Sequence, residues 1–345
     1  MHKLKSPAGP ECGRPARLFR ARRAGTPGVG AVQMAMSGRG LASLGPHGFH
    51  RIAYTEWGAR DNSRIVLCMH GLTRNSRDFD WLARALEARY RVVCMDAAGR
   101  GQSEWLEHKH DYTFRLYQAD AAALIARVTE VPASRWRVWR KAMGAGEVAV
   151  VDWVGTSMGG LIGMLLAAQP RSPIRRLVLN DVGPFIPWTA LIRMPGHTMG
   201  RASYASFAEA EALLRAACAA WGPITEEQWR HLAQHSIRRE QDGGYGFAFD
   251  PRVADATAWG LAPEARIGHR NLLGLELWSV WQQINCPVLI LRGQDSEVLS
   301  PETVERMRQR DARTDVVEFP EVGHAPALMA REQIEPIAAF LLETN

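Results

Sequence analysis

Cysteine is scarce: the 345 residues hold five, Cys12, Cys68, Cys94, Cys218 and Cys286. An odd number at irregular spacing excludes a disulfide framework, and no zinc-type spacing occurs. Cys68 and Cys94 stand inside apolar runs, where cysteine behaves as a small hydrophobe. The usage points to a reducing, cytoplasmic compartment. Long apolar runs are missing too. None approaches the roughly 20 residues that cross a bilayer, and none forms the apolar segment of about 7–15 residues that a secretory signal needs. The glycine patterns of phosphate-binding and dinucleotide-binding loops are absent. No cofactor is therefore expected.

Acidic residues are nearly missing from one end. Residues 1–40 hold eight of the 42 Lys and Arg but one of the 36 Asp and Glu, so the net charge of +6 becomes −1 for the remainder. That near-neutral remainder gives no support to nucleic acid as a partner. The tail is rich in Pro, Gly, Ala and Arg, with Phe19 its only aromatic residue. It cannot bury enough apolar surface to offset its ordering entropy, and disorder is expected over 1–40. Its balance is also that of a targeting segment, or of an extension preceding a start at Met34 or Met36.

What is present is a 46% hydrophobic chain, enough for a substantial core. Phe49–Trp57 alternates as a half-exposed strand. RIVLCM at 64–69, RVVCM at 91–95, IRRLVL at 174–179 and PVLIL at 287–291 read as buried strands. Helical stretches separate them, near 76–88, 114–128, 302–310 and 332–343, and 316–319 supplies a last strand. This rhythm predicts an α/β fold with a mostly parallel central sheet and helices on both faces. After Asp181 it stops. Residues 207–221, 226–239 and 271–283 read as helices with no clear strand among them, and six of the twelve tryptophans fall between Gly183 and Asn285. The expected organisation is core 41–183, helical cap 184–285 and core 286–345. A basic, aromatic segment, Arg135, Trp136, Arg137, Trp139, Arg140 and Lys141, reads as a solvated loop or helix turn.

The chemistry concentrates in Val148–Leu166. An apolar strand runs into Gly155-Thr156-Ser157-Met158-Gly159 and out as a small-residue helix, which is G-x-S-x-G in the strand-to-helix context the motif requires. A serine on so sharp a turn is strained, and its neighbours two places away must lack side chains. Such a hydroxyl needs a base. His324, in a loop between the last strand and the last helix, opens on the same sheet edge and is the candidate. His70 ends another strand, and its loop HGLT can offer the Leu72 N–H to a developing oxyanion, with the Met158 N–H as second donor. His108, His110 and Asp111 are expected at the surface, and no metal site is expected.

VGTSMGG, HGLT, DAAGRGQS (96–103) and the late GHAP together resemble the α/β-hydrolase fold superfamily, in particular a serine esterase with a helical cap. The resemblance covers nearly everything from residue 49 onward and implies a triad. In most relatives the acid stands three places after the glycine of the strand here written VLILRG, which is Ser296, flanked by Asp295 and Glu297. LNDVGP at 179–184, together with Arg292-Gly293-Gln294-Asp295-Ser296, is similar instead to a subgroup whose acid follows the earlier strand. Asp181 is therefore expected as the acid that orients His324, with Asp295 the alternative. Asp96 is expected to close its own turn.

The activity this implies is hydrolysis of a small hydrophobic carboxylic ester or thioester through an acyl-enzyme on Ser157. The competing readings are a serine-dependent hydrolase of carbon–carbon bonds in ring-cleavage products, and a non-catalytic ligand-binding member of the fold.

Overall fold

Over residues 36–129, 150–193, 203–253, 274–310 and 313–343, those the computed structural model describes, strands and helices alternate around one large sheet. The chain enters it as a hairpin, β1 (Ser37–Gly45) and β2 (Gly48–Trp57), paired antiparallel. Strand β1 begins four residues inside the segment expected to be disordered. Its SGRGLASLG has few apolar residues, and what holds it is the ladder to β2 and the burial of Ser43, whose Oγ donates to Asp120.

Strands β3 (Ile65–Met69), β4 (Arg91–Met95), β5 (Val151–Thr156), β6 (Ile174–Asn180), β11 (Val288–Gly293) and β12 (Thr314–Phe319) run parallel. The strand order is β1-β2-β4-β3-β5-β6-β11-β12. All five residues of β3 are buried, and they divide by the two-residue period of a strand. Ile65, Leu67 and Met69 face a core shared with α2 (Phe114–Thr129) and α3 (Met158–Ala167). Val66 and Cys68 face the other, shared with α1 (Asp80–Leu86) and the last helix, Arg331–Leu342. Burying each such side chain contributes about 1.5–3 kcal/mol, so the double-sided run secures β3 at the centre. Cys68 pairs in register with Cys94, and both thiols are free and buried.

Between β6 and β11 the chain leaves the sheet. Its described parts are β7 (Phe185–Pro187), α4 (Trp188–Ile192), α5 (Phe207–Ala217), a 3-10 turn at Ala219–Trp221, α6 (Glu226–Ser236), β8 (Ile237–Arg239), β9 (Tyr245–Phe247), β10 (Gly274–Glu276) and α7 (Trp278–Trp281). Two corrections to the sequence reading arise here. Short strand pairs occur, β7 with β10 and β8 with β9. Within the helix expected over 271–283, the described residues, from 274 on, form a three-residue strand followed by one helical turn. Three residues are too few to display strand periodicity. The β7–β10 pair joins the outgoing chain to the returning one, with Leu275 opposite Ile186. Trp278 and Trp281 are buried in the main core. The remaining helices are α8 (Pro301–Arg310) and α9, the Arg331–Leu342 helix named above. The segment with Trp136 and Trp139, the tail up to residue 35 and Trp259 lie outside the described residues.

Candidate active site

Parallel strands deliver their carboxyl ends to one edge of the sheet, and the residues singled out by the sequence gather there. Ser157 follows β5 with φ 51 and ψ −114, a left-handed conformation that only surrounding structure can hold in a non-glycine residue. A Cβ on Gly155 would overlap the Gly159 carbonyl, and one on Gly159 would overlap the Met69 carbonyl. The turn can close this tightly only because both lack side chains. Trp153 Nε1 braces it by donating to Gly159 O at 3.0 Å, and Ser157 N donates to Asn180 O at 3.0 Å.

His324 stands in the loop between β12 and α9. Its Nε2 is 2.9 Å from Ser157 Oγ, and its Nδ1 is 2.7 Å from Asp181 Oδ2. Asp181 immediately follows β6, is wholly buried and adopts φ 56. Its Oδ1 accepts from Gly293 N at 3.0 Å, and its Oδ2 accepts from Ser296 Oγ at 2.5 Å. The alternative acid, Asp295, is exposed, and its backbone N–H donates to Val322 O at 2.8 Å. The histidine therefore meets Asp181 and not Asp295.

The HGLT loop lies against the serine: a Cβ on Gly71 would sit 3.7 Å from Ser157 Cβ. Leu72 is next in that turn, and Met158 opens α3, where the first N–H groups have no partner within the helix. His70, wholly buried, spans two strand ends. Its Nε2 accepts from Ala97 N at 3.0 Å, and its Nδ1–H donates to Gly71 O at 2.7 Å. Burial, with Arg100 and Arg74 nearby, pushes its pKa down to about 3, so the ring is neutral. Asp96 closes its turn as expected, accepting from Ser76 N at 2.7 Å and Gln102 N at 2.9 Å.

Three features escaped the sequence reading. Arg100, flanked by glycines in what reads as an ordinary turn, is fully buried. The Ala219–Trp221 turn bonds to the histidine loop on both sides of His324, Gly323 N to Ala220 O at 2.6 Å and Ala327 N to Trp221 O at 3.1 Å. Arg74 pairs with Asp78 at 2.7 Å and lies 5.0 Å from the Trp221 ring centroid. Nothing in the local sequence signals such contacts between distant segments. Elsewhere, His47 Nδ1 lies 2.7 Å from Asp111 Oδ2 and the His47 ring packs on His108 at 4.2 Å. No group of three or more potential ligands among the described residues is arranged to hold a metal ion. No described helix is long and apolar enough to cross a membrane.

Known proteins share this architecture. Residues 65–337 match the alpha/beta hydrolase family profile. The 3-hydroxybutyrate-oligomer hydrolase of Cupriavidus necator is 41% identical over 294 residues, 84% of this chain and 92% of that protein. The 2-(acetamidomethylene)succinate hydrolase of Mesorhizobium japonicum is 23% identical over 261 residues, 75% of this chain and 81% of that one. Among solved structures, an alpha/beta hydrolase from Novosphingobium aromaticivorans superposes with a TM-score of 0.71 at 29% identity, covering 89% of this chain and 98% of that one.

Proposed function

The chain belongs to the alpha/beta hydrolase family and is a hydrolase, and we propose that it cleaves carboxylic esters, with short 3-hydroxybutyrate oligomers as the substrate class. The observation that carries the mechanism is the unbroken hydrogen-bond chain from Ser157 Oγ through His324 to the buried Asp181 carboxylate. The 41% identity to an oligomer hydrolase over most of both chains supports the substrate class.

Ser157 Oγ attacks the ester carbonyl carbon while its proton passes to His324 Nε2. Asp181 holds the ring with Nδ1–H toward itself and stabilises the imidazolium that forms. The carbonyl oxygen, now an oxyanion, receives the N–H groups of Leu72 and Met158. Collapse breaks the bond to the alcohol half, which leaves with the proton from His324. Water then attacks the acyl-enzyme by the same relay, giving free acid and restoring Ser157. For a 3-hydroxybutyrate oligomer, each turnover yields one new carboxylate and one new hydroxyl terminus.

The insertion between β6 and β11 acts in this reading as a cap over the site. Its Ala220 and Trp221 carbonyls are bonded to the loop that carries His324, which supports that role.

Two assays together test the proposal. A fluorophosphonate probe should label wild type at Ser157 and leave Ser157→Ala unlabelled. Linear 3-hydroxybutyrate dimer and trimer should be hydrolysed with a higher kcat/KM than p-nitrophenyl esters of matched length. No labelling sinks the serine mechanism. Labelling without oligomer turnover sinks the substrate class alone.

A further inference from the structure

Arg100 comes from the loop after β4, and its guanidinium is fully buried. Its Nε donates to Leu72 O at 2.8 Å. Its Nη1 donates to Ala98 O at 2.7 Å and to Tyr117 Oη at 2.5 Å. Its Nη2 lies 3.6 Å from Met158 Sδ. The Tyr117 and Tyr112 rings flank it at 4.8 and 5.8 Å. Among the described residues no carboxylate pairs with it; its partners are two carbonyls, a phenol and a thioether. A buried cation without a counter-ion is costly. Two of its contacts fall on Leu72, in the loop after β3, and on Met158, the first residue of α3, two segments distant in the chain.

We propose that Arg100 is a positioning residue for the oxyanion hole, tying Leu72 to Met158 and keeping a permanent positive charge behind their N–H groups. The proposal rests on reading those two groups as the oxyanion donors. The bond to Leu72 O fixes the turn just after one donor, and the contact with Met158 fixes the residue that carries the other. The charge lacks a carboxylate in the resting enzyme and gains an anionic partner when the tetrahedral oxyanion forms. An interaction that strengthens between ground state and transition state raises kcat and leaves KM little changed. Burial first, then Arg100 and Arg74, hold the neighbouring His70 neutral.

The test compares Arg100→Met, Arg100→Lys and Tyr117→Phe with wild type on one ester. The readouts are kcat, KM, the inhibition constant of a boronic acid that forms a tetrahedral anion on the serine, and the inhibition constant of an unreactive ether analogue. Arg100→Met should lose about 100-fold in kcat. Boronate affinity should fall in parallel, with KM and ether affinity unchanged within about threefold. Arg100→Lys keeps the charge without the fork and should recover about tenfold of that loss. If Arg100→Met does not fold, Arg100→Lys and Tyr117→Phe are read by the same division between boronate and ether. Equal losses for both inhibitors, or a loss confined to KM, would show a merely structural role and overturn the proposal. Wild type that neither turns over the ester nor binds the boronate overturns the reading of the site itself. Normal wild type with an unaffected Arg100→Met overturns the role of Arg100 alone.

Discussion

Ser296 Oγ lies 2.5 Å from Asp181 Oδ2, the oxygen that also meets His324 Nδ1. The backbone N–H groups of Val298 and Leu299 both donate to Ser296 Oγ at 3.1 Å, so its own proton is left for the carboxylate. Gly293 N–H takes the other carboxylate oxygen at 3.0 Å. Asp181 is thus fixed in orientation by donors from β11 and the loop after it, the region where most members of the fold carry their acid. In the proposed triad Ser296 supports the acid, and Asp181 stands immediately after the neighbouring strand β6. The histidine is met from the same side of the sheet in either arrangement.

Asp181→Asn should therefore lower kcat by about 10⁴-fold with little change in KM, because the amide no longer favours the Nδ1–H tautomer. Asp295→Asn, altering an exposed side chain, should remain within about twofold of wild type. Initial rates on one ester, with melting temperatures to verify folding, separate the two. A large loss in Asp295→Asn and none in Asp181→Asn would reverse the assignment.

The same geometry predicts that the acid can be moved. Ser296→Asp alone should reduce activity, since it sets a second carboxylate against Asp181. In the Asp181→Asn background the same change should restore activity by at least about tenfold, because a carboxylate again lies within reach of His324. The four kcat values form a double-mutant cycle. Independent, additive losses would mean that Ser296 and Asp181 do not share the histidine.

The nucleophile turn was legible because its constraint is local: Gly155 and Gly159 are demanded by overlaps with atoms a few residues away or on the adjoining strand. Asp181 was legible because LNDVGP, together with Arg292-Gly293-Gln294-Asp295-Ser296, resembles a subgroup whose acid follows this strand. Strand β1 was not, since Gly38, Gly40 and Ser43 have low strand propensity and the ladder to β2 overrides it. Arg100 was not, because the sequence cannot distinguish a buried arginine from a solvated one. Its burial depends on Tyr112, Tyr117 and Met158 converging from three other segments.

The contact between the insertion and the histidine loop gives another prediction. Gly323 N donates to Ala220 O at 2.6 Å, and a Cβ on Gly323 would stand 2.9 Å from Ala220 Cβ. Gly323→Ala must push the loop and the Ala219–Trp221 turn apart beside His324. A displacement of that kind should lower kcat about tenfold or more. Ala220→Gly in the same chain should recover part of it by removing the opposing methyl. If the pair behaves no better than Gly323→Ala, the crowding is not what displaces the histidine.

The insertion also meets the core through two histidines, which gives stability a dependence on pH. On α6, His235 Nδ1 accepts from Arg77 Nη1 at 3.3 Å, and the His231 ring lies 4.5 Å from that of His235 and 4.7 Å from that of Trp81. His231 Nε2–H donates to Arg77 O at 3.0 Å, with Asp80 at 3.4 Å. Asp80 is itself engaged by Arg77 at 2.6 Å. Burial first, then Arg77 and His231, push the His235 pKa down to about 4. Burial is also the largest cause of the lowering at His231. The unfolded chain takes up protons near the ordinary histidine value of 6.5 and the folded chain only near 4, so between these values the unfolded state binds more. The neutral ring's stabilisation is full above 6.5 and is lost as pH falls toward 4. Melting temperature should drop across that window, and His235→Phe should make the drop smaller by roughly 2 °C. His231 and His70, lowered in the same direction, should preserve the rest of the slope. Scans at pH 7, 6 and 5 in one ionic strength suffice, and equal slopes in wild type and His235→Phe would remove His235 from the account.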